Sequence, residues 1–343
     1  MLRSMYSAVS GLRVHQTMLD VVGNNIANVN TFGFKTGRAV FEDNLSQIIR
    51  GASAPIPAVG GGPGVGGINP AQVGLGARLG AITNIFTQGG LQVTNQTTDV
   101  AIQGDGFYVV QKAGANFYTR NGAFNFDTDG NLVTSNGSYV LGYQFGPGGE
   151  VTSEMTKEEV ADALSTNVMM VPDPATGLPG GTEADLADLP GATPLKLPSA
   201  LAAGGSDEWT TFLQGEDGTF GTSDDLAMES FQINPDGTLV GAFSDGTKRA
   251  FGKMALATFN NPPGLEKVGG SFYRQTTNSG VPDIGMAASG GRGTIESGTL
   301  EMSNVDLAQE FTNLIVAQRG FQANSKVVTT SDEVLSDLIS MKR

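Results

Sequence analysis

The residues of this chain that could do chemistry are mostly carboxylates. Asp127, Asp129 and Asn131 stand two apart in DTDGNLVTSNGS, the spacing with which an oxygen-lined loop begins to wrap a calcium ion. Such a loop needs its sharp-turn Gly at the sixth position and a closing Glu at the twelfth, and these positions hold Leu132 and Ser138. Glu216, Asp217, Asp224 and Asp225 in GEDGTFGTSDDL make a better cation loop, although a solvated acidic turn explains them more simply. GLGARLG, Gly74 to Gly80, has its glycines one residue out of step for a dinucleotide-binding turn, and no strand is expected before it. The one histidine, His15, falls among solvent-face residues with no obvious partner, and there is no Cys. A Ser–His or Cys–His nucleophile is therefore unsupported. The expectation is a protein that is not an enzyme, with no catalytic residues, no cofactor and no metal beyond the weak acidic candidates.

Composition narrows the class further. With 343 residues the chain has room for two or three domains with ample core. Forty-nine Gly against only 20 Lys and Arg suggest turn-rich β structure and argue against a nucleic-acid partner. No apolar run approaches the ~18 residues of a membrane span, and the start MLRSMYSAVSGLRVHQ lacks a secretory-signal pattern. Residues 150–229 hold 16 Asp and Glu against two Lys, which accounts for the whole net charge of −14. That segregation predicts a separate, solvated unit that repels its own copies.

The elements that must position everything else are two terminal helices. Leu2, Met5, Val9, Leu12, Leu19, Val22, Ile26 and Val29 recur at steps of three and four, with Gln16 in the seam. At the far end Leu307, Phe311, Leu314, Gln318, Phe321, Ser325, Val328, Asp332, Leu335 and Ile339 form a near-heptad, with Ser303 and Asp306 reading as a capping box. Each stripe alone has nothing to bury against, and a polar seam residue fixes register at a cost in stability. Pairing the two ends, and then packing copies side by side, resolves both points. Asn24, Asn25, Asn28 and Asn30 interrupt the first stripe. They read either as a helix stop or as amides hydrogen-bonding within or between subunits without burying charge, with Phe32 or Phe34 as an anchor beyond them.

Between the helices the signals are β. Phe41 to Leu45 continues as a short helix or extended piece, and 51–76 reads as a Gly/Pro-rich linker. Strands are expected at Leu91/Val93, Val100/Ile102, Phe107–Val110, Phe124/Phe126, Tyr139–Tyr143 and Met254–Phe259, with Asp-Gly and Asn-Gly turns between several of them. FQINPDGTLV echoes FNFDTDGNLV, which shared hairpin chemistry explains better than a repeat. Thr156 to Leu164 reads as a short capped helix. The expected fold is mostly β with helical termini that pair in a coiled-coil-like inner domain (1–50 with 300–343). A central β domain (77–149 with 250–299) carries an inserted, acidic, β-rich outer domain (150–249).

These features resemble the axial proteins of the bacterial flagellum. The N-terminal signature is Gly11-Leu12, Gln16, Leu19-Asp20-Val21, Asn24-Asn25-Ile26-Ala27-Asn28, Asn30-Thr31 and Gly33-Phe34-Lys35. Asp99-Val100-Ala101-Ile102, Gly104, Gly106-Phe107 and Tyr118-Thr119-Arg120-Asn121-Gly122 resemble the central pattern. Ser303 to Leu307, Ile315 to Arg319 and Asn324 resemble the C-terminal one. The resemblance covers about 1–145 and 230–343. It implies a structural subunit that polymerises head to tail into a hollow tube, with Leu12, Gln16, Leu19, Asn24, Asn25, Ile26, Asn28, Phe34, Leu307, Phe311, Leu314, Gln318, Phe321, Val328 and Leu335 serving self-assembly. The large insertion and the stretch Ala257 to Tyr273 look hook-like, with the distal rod as the nearest rival. The implied partners are other copies of itself, the distal rod protein, a hook cap, a hook–filament junction protein and the flagellar type III export apparatus. The implied location is the extracellular hook and basal body, reached without a cleaved signal and without membrane insertion. The contrasting class is an extracellular calcium-binding β protein centred on 215–230.

Overall fold

The computed structural model describes residues 2–55, 66–145, 193–197, 213 and 227–341. The acidic loop of Glu216, Asp217, Asp224 and Asp225 and the short helix expected over 156–164 lie outside the described residues. The chain forms two compact units: Met1–Val29 with Thr36–Ile85 and Val305–Arg343, and Asn30–Lys35 with Phe86–Asn304.

The first unit contains both long helices. α1 (Leu2–Ala27) has no Pro, and its hydrogen bonding continues through Asn28 N–H to the Asn24 carbonyl before the chain turns. α2 (Leu307–Ser340) begins at Asp306, whose carboxylate accepts from the N–H groups of Ala308 and Gln309 at 2.9 and 3.2 Å. Asp306 is thus the N-cap itself rather than the distal half of a Ser303 capping box, because a carboxylate at that position meets the free N–H groups and the helix dipole together. Two antiparallel pairs form a ribbon in the same unit. β1 (Gly37–Asp43) pairs with β4 (Ala77–Asn84), and β2 (Ser46–Arg50) pairs with β3 (Ala71–Gly74). Two boundaries therefore differ from expectation. The end of the expected linker is strand β3, and β4 belongs with the helices rather than with the central β domain. Composition registers Gly and Pro, but a strand is made by the partner that satisfies its backbone, and that partner lies ~30 residues upstream.

The second unit is built on a 12-stranded sheet. Its central strands are β7 (Phe107–Lys112), β11 (Tyr139–Gln144) and the eleven-residue β15 (Lys248–Thr258). β15 pairs with β11 and with β14 (Thr238–Phe243) along its first part, and with β7 along its last. β7 reads Phe-Tyr-Val-Val and is buried throughout. Phe107 and Val109 enter one apolar cluster while Tyr108 and Val110 enter the other, so both sheet faces are covered. β13 (Met228–Ile233) and β14 extend this same sheet, so the inserted segment rejoins the central domain about twenty residues earlier than expected. The two echoing segments are both hairpins, β9 (Phe124–Phe126) with β10 (Leu132–Thr134) and β13 with β14, each closed by a Gly at positive φ, Gly130 and Gly237. GLGARLG is the link between β3 and β4, not a turn feeding a helix.

Candidate assembly surface

The helix pair of the first unit meets through small side chains. On α1 Ala8, Val14 and Val22 are buried, and on α2 the buried positions are Glu310, Ala317 and Ser331. A Cβ added at Gly11 would stand 2.8 Å from the Asn324 amide, and one at Gly320 would collide with the ring of His15. Small residues at these points let the helix backbones approach closely. His15 is thus not on a solvent face: it is half-buried against Gly320, with Nδ1 enclosed. The large apolar side chains of α2 are left outside this seam. Phe311 is 52% exposed, Ile315 56% and Ile339 70%. Leu307, Val316, Phe321, Val327, Val334 and Leu338 are exposed as well.

The residues expected to serve assembly therefore separate into three groups. Leu12, Leu19, Ile26, Leu314, Val328 and Leu335 are half-buried. Gln16, Gln318, Leu307, Phe311 and Phe321 are exposed, so neither glutamine occupies the seam within one chain. The near-heptad contained the large residues, whereas close approach selected the small ones beside them. The asparagines form the third group. Asn25 is 1% exposed, its amide donating to the Gly37 carbonyl at 2.8 Å while its oxygen accepts from the Gly37 N–H at 3.0 Å. Asn28 donates to the Asn24 carbonyl and Oδ1, and Asn24 is exposed. The Asn25 amide therefore serves the chain's own fold, closing α1 onto β1.

Residues 30–35 leave α1 and belong to the second unit. Gly33 is at φ 67°, and a Cβ there would lie 2.5 Å from the backbone nitrogen of Asn121, so only Gly fits. Phe34 is buried beneath the Lys267 ammonium, 4.3 Å from its ring centre. Lys35 is wholly enclosed, its Nζ 2.6 Å from Glu301 Oε1 and donating to the Thr87 carbonyl at 2.8 Å. Glu301 Oε1 also accepts from the Gly89 N–H, and the Glu301 carbonyl accepts from the Gly33 N–H. Arg120 stands 3.6 Å from Glu301 Oε2, donates to the Gly104 carbonyl at 2.8 Å and lies over Phe107. Burial holds the Lys35 ammonium below the usual lysine range, against the opposing pull of Glu301. Sequence reasoning missed this cluster. Its only signal was that Lys35 and Arg120 each sit within a quoted motif.

The acidic candidate at Asp127 also resolves. One carboxylate oxygen accepts from the N–H groups of Asp129 and Asn131 and the other from the Asn131 side chain, closing the β9–β10 turn. Among the described residues no group of three or more His, Asp or Glu could hold a metal ion, and no helix is long and apolar enough to cross a membrane.

Three family profiles match the chain. "Flagella basal body rod protein" covers residues 5–35, "Flagellar hook protein FlgE/F/G D1 domain" 101–173, and "Flagellar basal body rod FlgEFG protein C-terminal" 296–341. Among similar proteins, flagellar hook protein FlgE of Borreliella burgdorferi is 34% identical over 449 aligned positions, with all of both chains covered. Flagellar basal-body rod protein FlgG of Bacillus subtilis is 37% identical over 344, again with full coverage of both. The Escherichia coli FlgE hook protein is 28% identical over 428, covering 98% of this chain and 99% of that one. Helical termini around a β-rich body, the three profile matches and the end-to-end similarity agree: the chain belongs to the flagellar hook and rod protein family, whose members are structural rather than enzymatic.

Proposed function

We propose that this chain is a hook subunit that assembles head to tail into a hollow, flexible tube joining rod to filament. The observation that carries self-assembly is the row of large apolar side chains on α2, from Phe311 to Ile339, which one chain leaves in water. A contiguous apolar face of this kind marks an interaction surface. Each large side chain fully buried by neighbouring copies contributes about 1.5–3 kcal/mol. The hook is favoured over the rod by the acidic segment 150–229, whose 16 carboxylates suit a hydrated outer layer that slides rather than locks. In this reading the terminal helices line the tube, the β unit forms a middle shell and the acidic insertion lies outermost. Partners are further copies, the distal rod protein, a hook cap and a hook–filament junction protein. Delivery is through the flagellar type III export apparatus to the extracellular hook, without a cleaved signal.

A distal-rod role is the second reading, and alignment length favours it. FlgG of Bacillus subtilis aligns in 344 positions, close to this chain's 343 residues, whereas the Borreliella FlgE alignment runs to 449. Electron microscopy of the purified, assembled protein separates the two. Curved, compressible tubes are expected, straight rigid rods establish the rod reading, and absence of any polymer under all conditions defeats both.

A further inference from the structure

The chain passes between its two compact units four times, after Val29, Lys35, Ile85 and Asn304. Inside the β unit, the residues beside those passages are tied to one another. Lys35 Nζ reaches Glu301 Oε1 at 2.6 Å and the Thr87 carbonyl at 2.8 Å. Asn304 Nδ2 donates to Thr87 Oγ1 at 2.9 Å, the Gly89 N–H donates to Glu301 Oε1 at 2.9 Å, and the Gly33 N–H donates to the Glu301 carbonyl at 2.8 Å. Three stretches far apart in sequence (30–35, 86–90 and 299–304) thus meet at one ammonium and one carboxylate, both fully buried. We infer that Lys35 and Glu301 are the positioning residues of a single anchor that holds every passage of the chain on the β unit. A pull on the helical unit then reaches the β unit at one point instead of peeling the segments off in turn.

The chemistry suits that role. The local ladders are short: β20 (Thr299–Glu301) meets β5 (Leu91–Val93) over three residues. Alone, so short a ladder resists peeling poorly. An ammonium has three donors to aim at acceptors on different segments, which no apolar side chain can do. A buried ion pair is also all-or-none, since loss of one partner leaves an unpaired charge in the interior. This inference concerns the β unit's own residues and holds for a hook or a rod subunit alike.

Residue-resolved hydrogen exchange on the full-length chain tests it. The amide to watch is Gly33, because its acceptor is the main-chain carbonyl of Glu301 and survives any side-chain substitution. In Lys35→Met and Glu301→Gln, exchange at Gly33 and at Met302, whose N–H bonds the Gly90 carbonyl, is expected to rise at least about tenfold, with β7 and β15 within about twofold of wild type. Unchanged protection at Gly33 overturns the inference, and so does an equal rise in β7 and β15, which makes the pair a general core support. Should those variants not fold, Asn304→Ala removes only the half-exposed tie to Thr87. A several-fold rise at Gly89 and Gly33 is expected, and no rise there shows that the segments are held independently.

Discussion

The two units of this chain complete themselves to different degrees. The β unit buries two apolar clusters, one on each face of its sheet, around Tyr108, Phe251 and Leu256 on one side and Phe107, Tyr118 and Tyr273 on the other. The helical unit buries a thin seam of small residues and leaves its large ones outside. Among the described residues, all but four of the exposed large apolar side chains belong to the helical unit, the exceptions being Val93, Tyr139, Val268 and Val281. The comparison teaches that the β unit is folded for its own sake, whereas the helical unit is folded for its neighbours.

The harshest way to break the comparison is to remove a helix. Deleting 1–30 or 305–343 is expected to abolish polymerisation completely while β circular dichroism and a cooperative melt persist; polymers seen by electron microscopy would refute the division. Next in size is a paired substitution. Leu256→Ala, at a wholly buried site in the β unit, is expected to cost about 2–5 kcal/mol in denaturant titration. Phe311→Ala is expected to change the stability of the unassembled chain by less than about 0.5 kcal/mol and yet raise the critical concentration for assembly. Equal costs at the two sites would erase the distinction.

Asn25→Ala sharpens the boundary within the helical unit. It strips both bonds from Gly37 and leaves buried backbone groups unpaired, so a loss of about 1–3 kcal/mol is expected in the unassembled chain itself. Asn24→Ala, at an exposed position, should be near neutral by the same titration. If the Asn25 variant instead melts like wild type and only fails to polymerise, the amide acts between subunits.

The smallest expected effect is on pH dependence. Burial raises the hydroxyls of Tyr108, Tyr118, Tyr143 and Tyr273 above the ordinary value of 10.0 in the β unit. Above pH 10 the unfolded chain releases those protons while the folded one retains them, so stability falls as pH climbs from 10 toward the folded values. Lys35 works oppositely. Its pKa is lowered by burial, so over the window just below 10.5 the unfolded chain binds more protons and stability rises with pH. Four groups oppose one, and a net decline beginning near pH 10, tracked by tyrosinate absorbance and confined to the β unit, is expected.

Much of this architecture is legible from local pattern. Steps of three and four marked both helices, and Asp-Gly turns between alternating apolar residues marked the β9–β10 and β13–β14 hairpins, because backbone geometry imposes those periods on any chain. The absence of Cys and the single His bounded the chemistry before any fold was known. Tertiary structure decided which face of each helix turned inward. Leu307, Phe311 and Phe321 satisfy the near-heptad, yet Ala317, Gly320 and Ser331 make the seam, since close approach of two backbones favours the smallest side chains and no one-helix pattern knows its partner. Tertiary structure also decided that Asn25 closes on Gly37, and that Lys35 meets a carboxylate 266 residues away. A buried ion pair leaves no period in a sequence: it depends on where two distant segments are brought together, and only the folded chain determines that.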